Sequence, residues 1–309
     1  MEVPINNVLV SIVIPTYGRP EKLKRSIESA LSQTYPHIEV VVVDDNNPST
    51  EARLETEQLM SQYTLNENVV YVKHNKNKNG AAARNTGVKN SRGTIISYLD
   101  DDDYYLPEKI EKDVYYLMEN PTIQGVCCGR ITRGKEVPPP QEGDLSKAIL
   151  LMEFSPTTST LMFYKDAIQA INGFTESYRR HQDYEFLLRF IKVFKLGRNQ
   201  ECLVVTGVNE GENHLHGNEL EELKLKFFNQ FDQIIKEIDF KTPGFKKELY
   251  TKHYVPVFWD HISKGYVTKA MKVYMRFVFW SPMNFTRKII QYFFSYIRFL
   301  LGSVAHRGD

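Results

Sequence analysis

The chain has 309 residues, 39 of them basic and 38 acidic, for a formal net charge of +1. That length can bury one large domain or two smaller ones, and the near-neutral charge argues against a generally nucleic-acid-binding surface. Cys127, Cys128 and Cys202 are odd in number and show no metal spacing, which argues against a disulfide framework and fits a reducing cytosol.

The first hundred residues alternate between strand and helix signals. VLVSIVIP (8–15) is a continuous β-branched run, as expected for a strand buried on both faces. Pro20 opens a helix to about Gln33, with Leu23, Ile27, Ala30 and Leu31 on one face. IEVVVVDD (38–45) is a second buried strand, followed by a polar helix over roughly 50–63. NVVYVKH (68–74) is a third strand, Gly80 to Asn90 a helix, and TIISYLD (94–100) a fourth strand. This order predicts an α/β fold, a mostly parallel sheet flanked by helices with right-handed crossovers. A helix then runs from Pro107 to about Asn120, with strands near 123–132 and 156–164, a Pro- and Gly-rich surface loop over 133–147, and a turn at Asn172-Gly173. A helix starts near Gln182, a last strand covers 201–208, and the pattern is helical from about 217. The N-terminus carries neither a basic n-region nor a cleavage signal, so no secretory peptide is expected. The longest apolar stretch, 289–301, is too short to span a membrane and carries Arg298.

In sheets of this kind ligands bind beyond the carboxyl ends of the strands. Asp44-Asp45 end one buried strand, and Asp100 to Asp103 end another. Adjacent carboxylates repel, and burying several is costly unless a cation compensates. Hard oxygen ligands suit Mg²⁺ or Mn²⁺ with a substrate phosphate behind it. A solvated acidic loop, or acids favouring the helix that Pro107 opens, is the structural alternative. No G-x-G-x-x-G follows the first strand and no G-x-x-x-x-G-K-[ST] loop exists, so phosphate would be held by metal.

Five segments, in order, resemble motifs of the family 2 glycosyltransferases: SIVIPTYGRP, VVVDDNNP, NGAAARNTG, SYLDDDDYYLPEKI and INGFTESYRRHQDYEFLLR. The resemblance covers about 9–215 and implies the nucleotide-sugar-binding GT-A fold. It places Pro15 and Tyr17 in the nucleobase pocket, with Asp45 accepting a hydrogen bond from the base and Asp44 close by. It puts Arg84 at the nucleotide or its phosphates. Asp100 and Asp102 form the D-x-D pair, Asp102 as direct metal ligand and Asp100 on the ribose side or through water, with Asp101 between them in the donor-binding set. Asp183 aligns with the catalytic carboxylate. Gln182 departs from the usual Glu, and either His214 or His216 stands where the family often carries a His near the donor phosphates.

The chemistry this implies is displacement of a diphosphate from an anomeric carbon. A cation stabilises the leaving group, Arg84 adds fixed positive charge, and Asp183 acts as general base in a single inverting displacement. Each residue also has a structural reading: Asp183 as a first-turn helix acid, Arg84 as a helix-surface cation, Asp44 as a turn former, Tyr17 as a plain loop aromatic.

From His261 to Gly308 there is no acidic residue, while Lys264, Lys269, Lys272, Arg276, Arg287, Lys288, Arg298 and Arg307 are basic and aromatics are dense. Two helices split at Ser281-Pro282 are expected. Their basic faces point to an anionic membrane surface over 262–302, with a packed helical pair as the alternative.

The expected organisation is a catalytic domain over 1–216 and a helical, basic amphipathic extension over 217–309. The donor would bind at about 8–110 and the acceptor at about 111–216. The expected protein is a metal-dependent, inverting transferase. It takes a UDP-sugar donor and a saccharide or lipid-linked saccharide acceptor in surface, capsular or O-antigen-type glycan synthesis. It is expected in the cytoplasm or peripheral on the inner face of the cell membrane. A sugar-nucleotide nucleotidyltransferase, or a non-catalytic carbohydrate-binding scaffold of the same fold, are the rivals.

Overall fold

The computed structural model describes residues 8–141, 144–155, 157–207, 215–278, 286–292 and 294. The backbone divides into two compact units, Met1–Glu210 and Gly211–Asp309.

The first unit is built on β1 (Val10–Thr16), β2 (Ile38–Asp44), β3 (Val69–Lys73) and β4 (Ile95–Tyr98), linked by α1 (Pro20–Leu31), α2 (Glu51–Ser61) and α3 (Gly80–Asn90). All of β2 and β4, and all of β1 except Pro15, is buried, which explains their continuous apolar runs. β1 pairs in parallel with β2 on one side and β4 on the other, and β3 lies parallel beyond β2. The winding therefore reverses at β1, and the crevice beyond the carboxyl ends of β1 and β4 is the topological switch point. Small residues let α3 lie close on β1: a Cβ at Gly87 would stand 2.2 Å from Val13 Cγ1.

The chain continues through β5 (Tyr104–Tyr105), α4 (Lys109–Glu119), β6 (Gly125–Thr132), β7 (Lys135–Val137), α5 (Leu145–Leu150), β8 (Leu161–Tyr164), α6 (Lys165–Ala170), α7 (Gln182–Val193) and β9 (Leu196–Thr206). The sheet order is β3-β2-β1-β4-β8-β6-β9-β5, with β7 paired to β6. β8 runs antiparallel to both β4 and β6, β9 runs parallel to β6, and β5 antiparallel to β9. Thus β1–β4, β6 and β9 share one direction against β5, β7 and β8, the mostly parallel α/β sheet expected.

The second half of this unit departs from the pattern reading. The span 133–147 is not all loop: β7 forms a hairpin with β6, and Asp144 caps α5 by accepting from Ser146 N at 2.8 Å. The strand expected from 156 begins only at Leu161, after a 3₁₀ turn at Thr158–Thr160. β9 begins at Leu196, because pairing with β6 carries the polar Arg198 into a strand that periodicity does not reveal. β5 is two residues long and leaves no periodic signal.

The second unit is helical, as expected: α8 (Gly217–Gln230), α9 (Asp232–Lys241), α10 (Phe245–Ser263) and α11 (Val267–Val278), with a helix over 286–292. Its core stacks Phe228, Tyr250, Tyr254 and Phe277, with Tyr254 and Phe277 ring centroids 4.3 Å apart. Trp259 Nε1 donates to the Ile289 carbonyl at 3.2 Å. The expected break at Ser281-Pro282 lies outside the described residues, as does everything from 295 onward. Among the described residues, no helix is long and apolar enough to cross a membrane.

Candidate active site

The switch point gathers the ends of β1 and β4. Asp101 is fully buried. Its Oδ2 accepts from Thr16 Oγ1 at 2.8 Å and Tyr17 N at 3.3 Å, so the two strand ends are tied through one carboxylate. Asp102 Oδ2 accepts from Arg19 Nη1 at 2.7 Å, and Arg19 Nη2 stands 2.5 Å from Asp101 Oδ1. Arg25 donates to the Asp102 carbonyl at 2.9 Å, while Ser26 Oγ donates to the Asp101 and Asp103 carbonyls. Asp103 is spent on structure: Oδ2 accepts from Ser159 Oγ at 2.5 Å and Oδ1 from Gly207 N at 2.8 Å. The acidic turn is pinned on one side by β4 and on the other by β5.

The β2 end is different in kind. Asp44 Oδ2 pairs with Arg53 Nε at 3.0 Å and accepts from Tyr71 at 2.6 Å, while Oδ1 accepts from Asn46 N and Nδ2. Asp45 accepts from His74 Nδ1 (2.7 Å), Lys78 N (2.8 Å), Asn79 N (2.8 Å) and Asn77 Nδ2 (2.9 Å). A carboxylate offers about four acceptor sites, so the chain itself fills those of Asp45. Tyr17 is 53% exposed, and Pro15 sits beside it at the end of β1.

Arg84, on α3, joins two distant segments. Its Nη2 donates to Asp100 Oδ1 at 2.6 Å and its Nη1 to Gln182 Oε1 at 2.9 Å, with its guanidinium 5.4 Å from the Phe174 ring centroid. Gln182 Nε2 in turn donates to the Tyr178 carbonyl. A neutral amide at 182 thus accepts from Arg84 and donates to backbone at once, which a carboxylate does not do. The next residue, Asp183, is partly buried at the start of α7 and accepts from Thr158 Oγ1 at 2.5 Å. Asn85 holds this loop down by accepting from Phe174 N at 2.8 Å. Gly173 permits that approach, with φ +61° and room for no Cβ, which would meet Asn85 Oδ1 at 2.5 Å.

Burial raises the Asp183 carboxyl above its ordinary range against the pull of nearby Arg84, and Asp100 adds to the rise. Burial likewise pushes Asp101 up to about 7, with Arg19 opposing. For Arg84 burial acts downward, but Asp100 and Asp183 outweigh it and hold the guanidinium firmly charged. Asp100 and Asp102 each keep one oxygen without a hydrogen bond among the described residues. No cluster of three or more His, Cys, Asp or Glu forms a metal cage among those residues. Two carboxylates with open oxygens fit Mg²⁺ or Mn²⁺, which bind one or two carboxylates and complete their shell with substrate phosphates and water.

The structure therefore brings Asp100, Asp101, Asp102, Arg84 and Asp183 together with Tyr17 and Pro15 within one unit, and turns Asp44 and Asp45 to internal bonds. His214 lies outside the described residues, and His216 in the second unit bonds Asp260 Oδ1 at 2.7 Å. Sequence reasoning missed Arg19, Thr158 and Ser159. The first was readable as a cation just past the end of β1, whereas the two hydroxyls carry no sequence signal.

The profile described as glycosyl transferase family 2 matches residues 11–180. An uncharacterized glycosyltransferase of Haemophilus influenzae is 28% identical over 192 residues, 60% of this chain and 62% of that protein. The chain thus spans under two thirds of that relative's length. The Escherichia coli UDP-Glc:alpha-D-GlcNAc-diphosphoundecaprenol beta-1,3-glucosyltransferase WfaP is 35% identical over 109 residues, 35% of this chain and 41% of that one. Among solved structures, S. aureus TarS 1-349 with UDP-GlcNAc aligns at TM-score 0.59 and 18% identity, over 81% of this chain and 80% of that one. The mannosyltransferase PcManGT of Pyrobaculum calidifontis with GDP-Man and Mn²⁺ aligns at 0.58 and 15%, over 93% and 85%. At these identities the structural likeness speaks for the fold.

Proposed function

This chain belongs to glycosyl transferase family 2 and has the GT-A fold, and we propose that it transfers a sugar with inversion from a UDP-sugar to a saccharide carried on a lipid diphosphate. The observation that carries this reading is the Arg84 bridge, which holds Asp100 at the donor side and Gln182, next to Asp183, in one rigid arrangement. The acceptor hydroxyl oxygen attacks the anomeric carbon as the bond to the diphosphate oxygen breaks. The nucleoside diphosphate leaves with the electron pair, and the hydroxyl proton passes to Asp183. The raised Asp183 carboxyl makes it a better proton acceptor than an ordinary aspartate, while Thr158 fixes its orientation. Arg84 supplies positive charge that needs no rearrangement.

Asp102 and Asp100 would hold Mg²⁺ or Mn²⁺, which when bound lends Lewis-acid stabilisation to the leaving diphosphate. Tyr17 offers an exposed ring for the nucleobase beside Pro15. Asp45 then serves the pocket indirectly, by shaping the 77–79 loop through its four bonds. UDP is favoured because WfaP is named for UDP-Glc and TarS was solved with UDP-GlcNAc. The lipid diphosphate follows the named acceptor of WfaP, and with it a role in surface or O-antigen-type glycan synthesis. Calorimetry with UDP, GDP and their sugars, with and without Mn²⁺, tests the donor. Metal-dependent binding of UDP and one UDP-sugar is the expected outcome, and tight binding of GDP instead would change the donor.

A lipid-borne acceptor calls for a membrane-facing surface, and exposed apolar and basic residues of the second unit support placing one there. Val267, Met271 and Met275 form a stripe on α11 that is 46–57% exposed, with Lys272 beside it. A cleft of about 770 Å³ is lined by Lys247, Lys252, Arg287 and Lys288 together with Glu248. Two of the predicted basic-face cations are instead used within the unit: Lys269 donates to Asn218 and Arg276 to Glu221. Sedimentation with anionic vesicles, comparing the protein with Met271→Ser/Met275→Ser, tests this. Equal partitioning removes the membrane contact.

A further inference from the structure

The geometry points to Arg19 as a side chain that competes with the divalent cation for the acidic turn and pairs with the donor diphosphate once that cation is bound. This rests on reading the switch-point crevice as a nucleotide-sugar site.

Arg19 forks across two neighbouring carboxylates, 2.5 Å from Asp101 Oδ1 and 2.7 Å from Asp102 Oδ2. The carboxylates are the fixed partners. Asp101 is buried under Thr16 and Tyr17, and Arg25 holds the Asp102 carbonyl. Gly207 lies against that same carbonyl, so closely that a Cβ there would stand 2.6 Å away. The arginine is the movable partner. Its side chain is 37% exposed, and its guanidinium is bonded only to these two carboxylates among the described residues. The contrast within the same chain is Arg53, whose side chain is 6% exposed and whose guanidinium also donates to three carbonyls.

A guanidinium on Asp102 Oδ2 and a divalent cation on the open oxygen of the same carboxylate repel each other as like charges. Either cation alone relieves the crowding of the aspartates. An incoming diphosphate changes the balance, because it brings negative charge that matches the planar arginine fork and completes the metal shell. Metal and nucleotide then help each other bind. Arg19 weakens the binding of metal alone and strengthens nucleotide binding when the metal is present, a coupling that both ligands must report equally.

The test is Mn²⁺ binding, read by electron paramagnetic resonance and calorimetry, with and without UDP, for the natural protein, Arg19→Ala and Arg19→Lys. Thermal unfolding of each variant confirms that it is folded. Arg19→Ala is expected to bind Mn²⁺ alone about tenfold more tightly, and UDP in the presence of Mn²⁺ about tenfold more weakly. Arg19→Lys, which keeps the charge and loses the fork, should fall between. Mn²⁺ affinity that is unchanged or weaker in Arg19→Ala, with Mn²⁺-dependent UDP binding retained in the natural protein, overturns the role of Arg19 and leaves the donor site standing. Failure of every protein to bind UDP or GDP, with or without Mn²⁺, overturns both.

Discussion

The ends of β2 and β4 present the same sequence feature, paired aspartates closing a buried strand, and put it to opposite uses. At the β2 end Arg53 spans the Asp44 carboxylate and the carbonyls of Asp44, Asn46 and His74. Asp45 spends its acceptor sites on the 74–79 segment. At the β4 end Asp100 and Asp102 each retain an oxygen, and the arginine on Asp102 is substantially exposed. An acidic strand end is a brace when its cation is buried with it, and a docking point when its cation can leave.

Four substitutions can break or sharpen that contrast. Asp183→Asn, which completes the β4-side site through Arg84 and Gln182, should lower kcat/KM by about 10²–10⁴ while leaving unfolding unchanged. Because its carboxyl is raised by burial, the natural enzyme should lose activity as pH falls through a value above the ordinary carboxylate range. Protonated below that point, the base cannot accept the hydroxyl proton. A pH–rate profile with its acid limb unchanged in Asp183→Asn would remove the assignment. Next, Asp44→Ala should cost about 3–5 kcal/mol in chemical denaturation, since it leaves Arg53 buried without its partner. A loss under about 1 kcal/mol would mean the β2 end is no brace. Third, Asp102→Asn should weaken Mn²⁺ binding in the presence of UDP at least tenfold, yet leave the melting temperature level or higher, because it relieves carboxylate repulsion. A marked drop in stability would make the β4 end a brace as well. Smallest, Tyr17→Ala should weaken UDP binding by about 1 kcal/mol, the scale of a base–aromatic stack, with no change in Mn²⁺ affinity. Equal UDP affinity would move the nucleobase elsewhere.

The first half of the fold was legible because its central strands β1, β2 and β4 are buried apolar runs that alternate with helices, so composition and order suffice. The second half was not. β5 and β7 are too short for periodicity, and Arg198 enters β9 only because β6 offers a partner. In the site, the aspartates announced themselves by clustering after apolar runs. Thr158 and Ser159 did not, since a hydroxyl in a loop acquires meaning only when folding sets it against Asp183 or Asp103. Gln182 looked like a defect by itself. With Arg84 on one side and the Tyr178 carbonyl on the other, its amide meets both a donor and an acceptor.

What the sequence by itself determined was the sheet that carries the site. Alternating buried strands and helices place the ends of β1, β2 and β4 in one direction, the last two acidic, because a parallel sheet covered by helices is the packing that buries such runs. Which carboxylates stay available was decided only in three dimensions. Availability depends on whether a distant cation is buried against them, and the sequence alone does not show which of Arg53, Arg84 and Arg19 is buried.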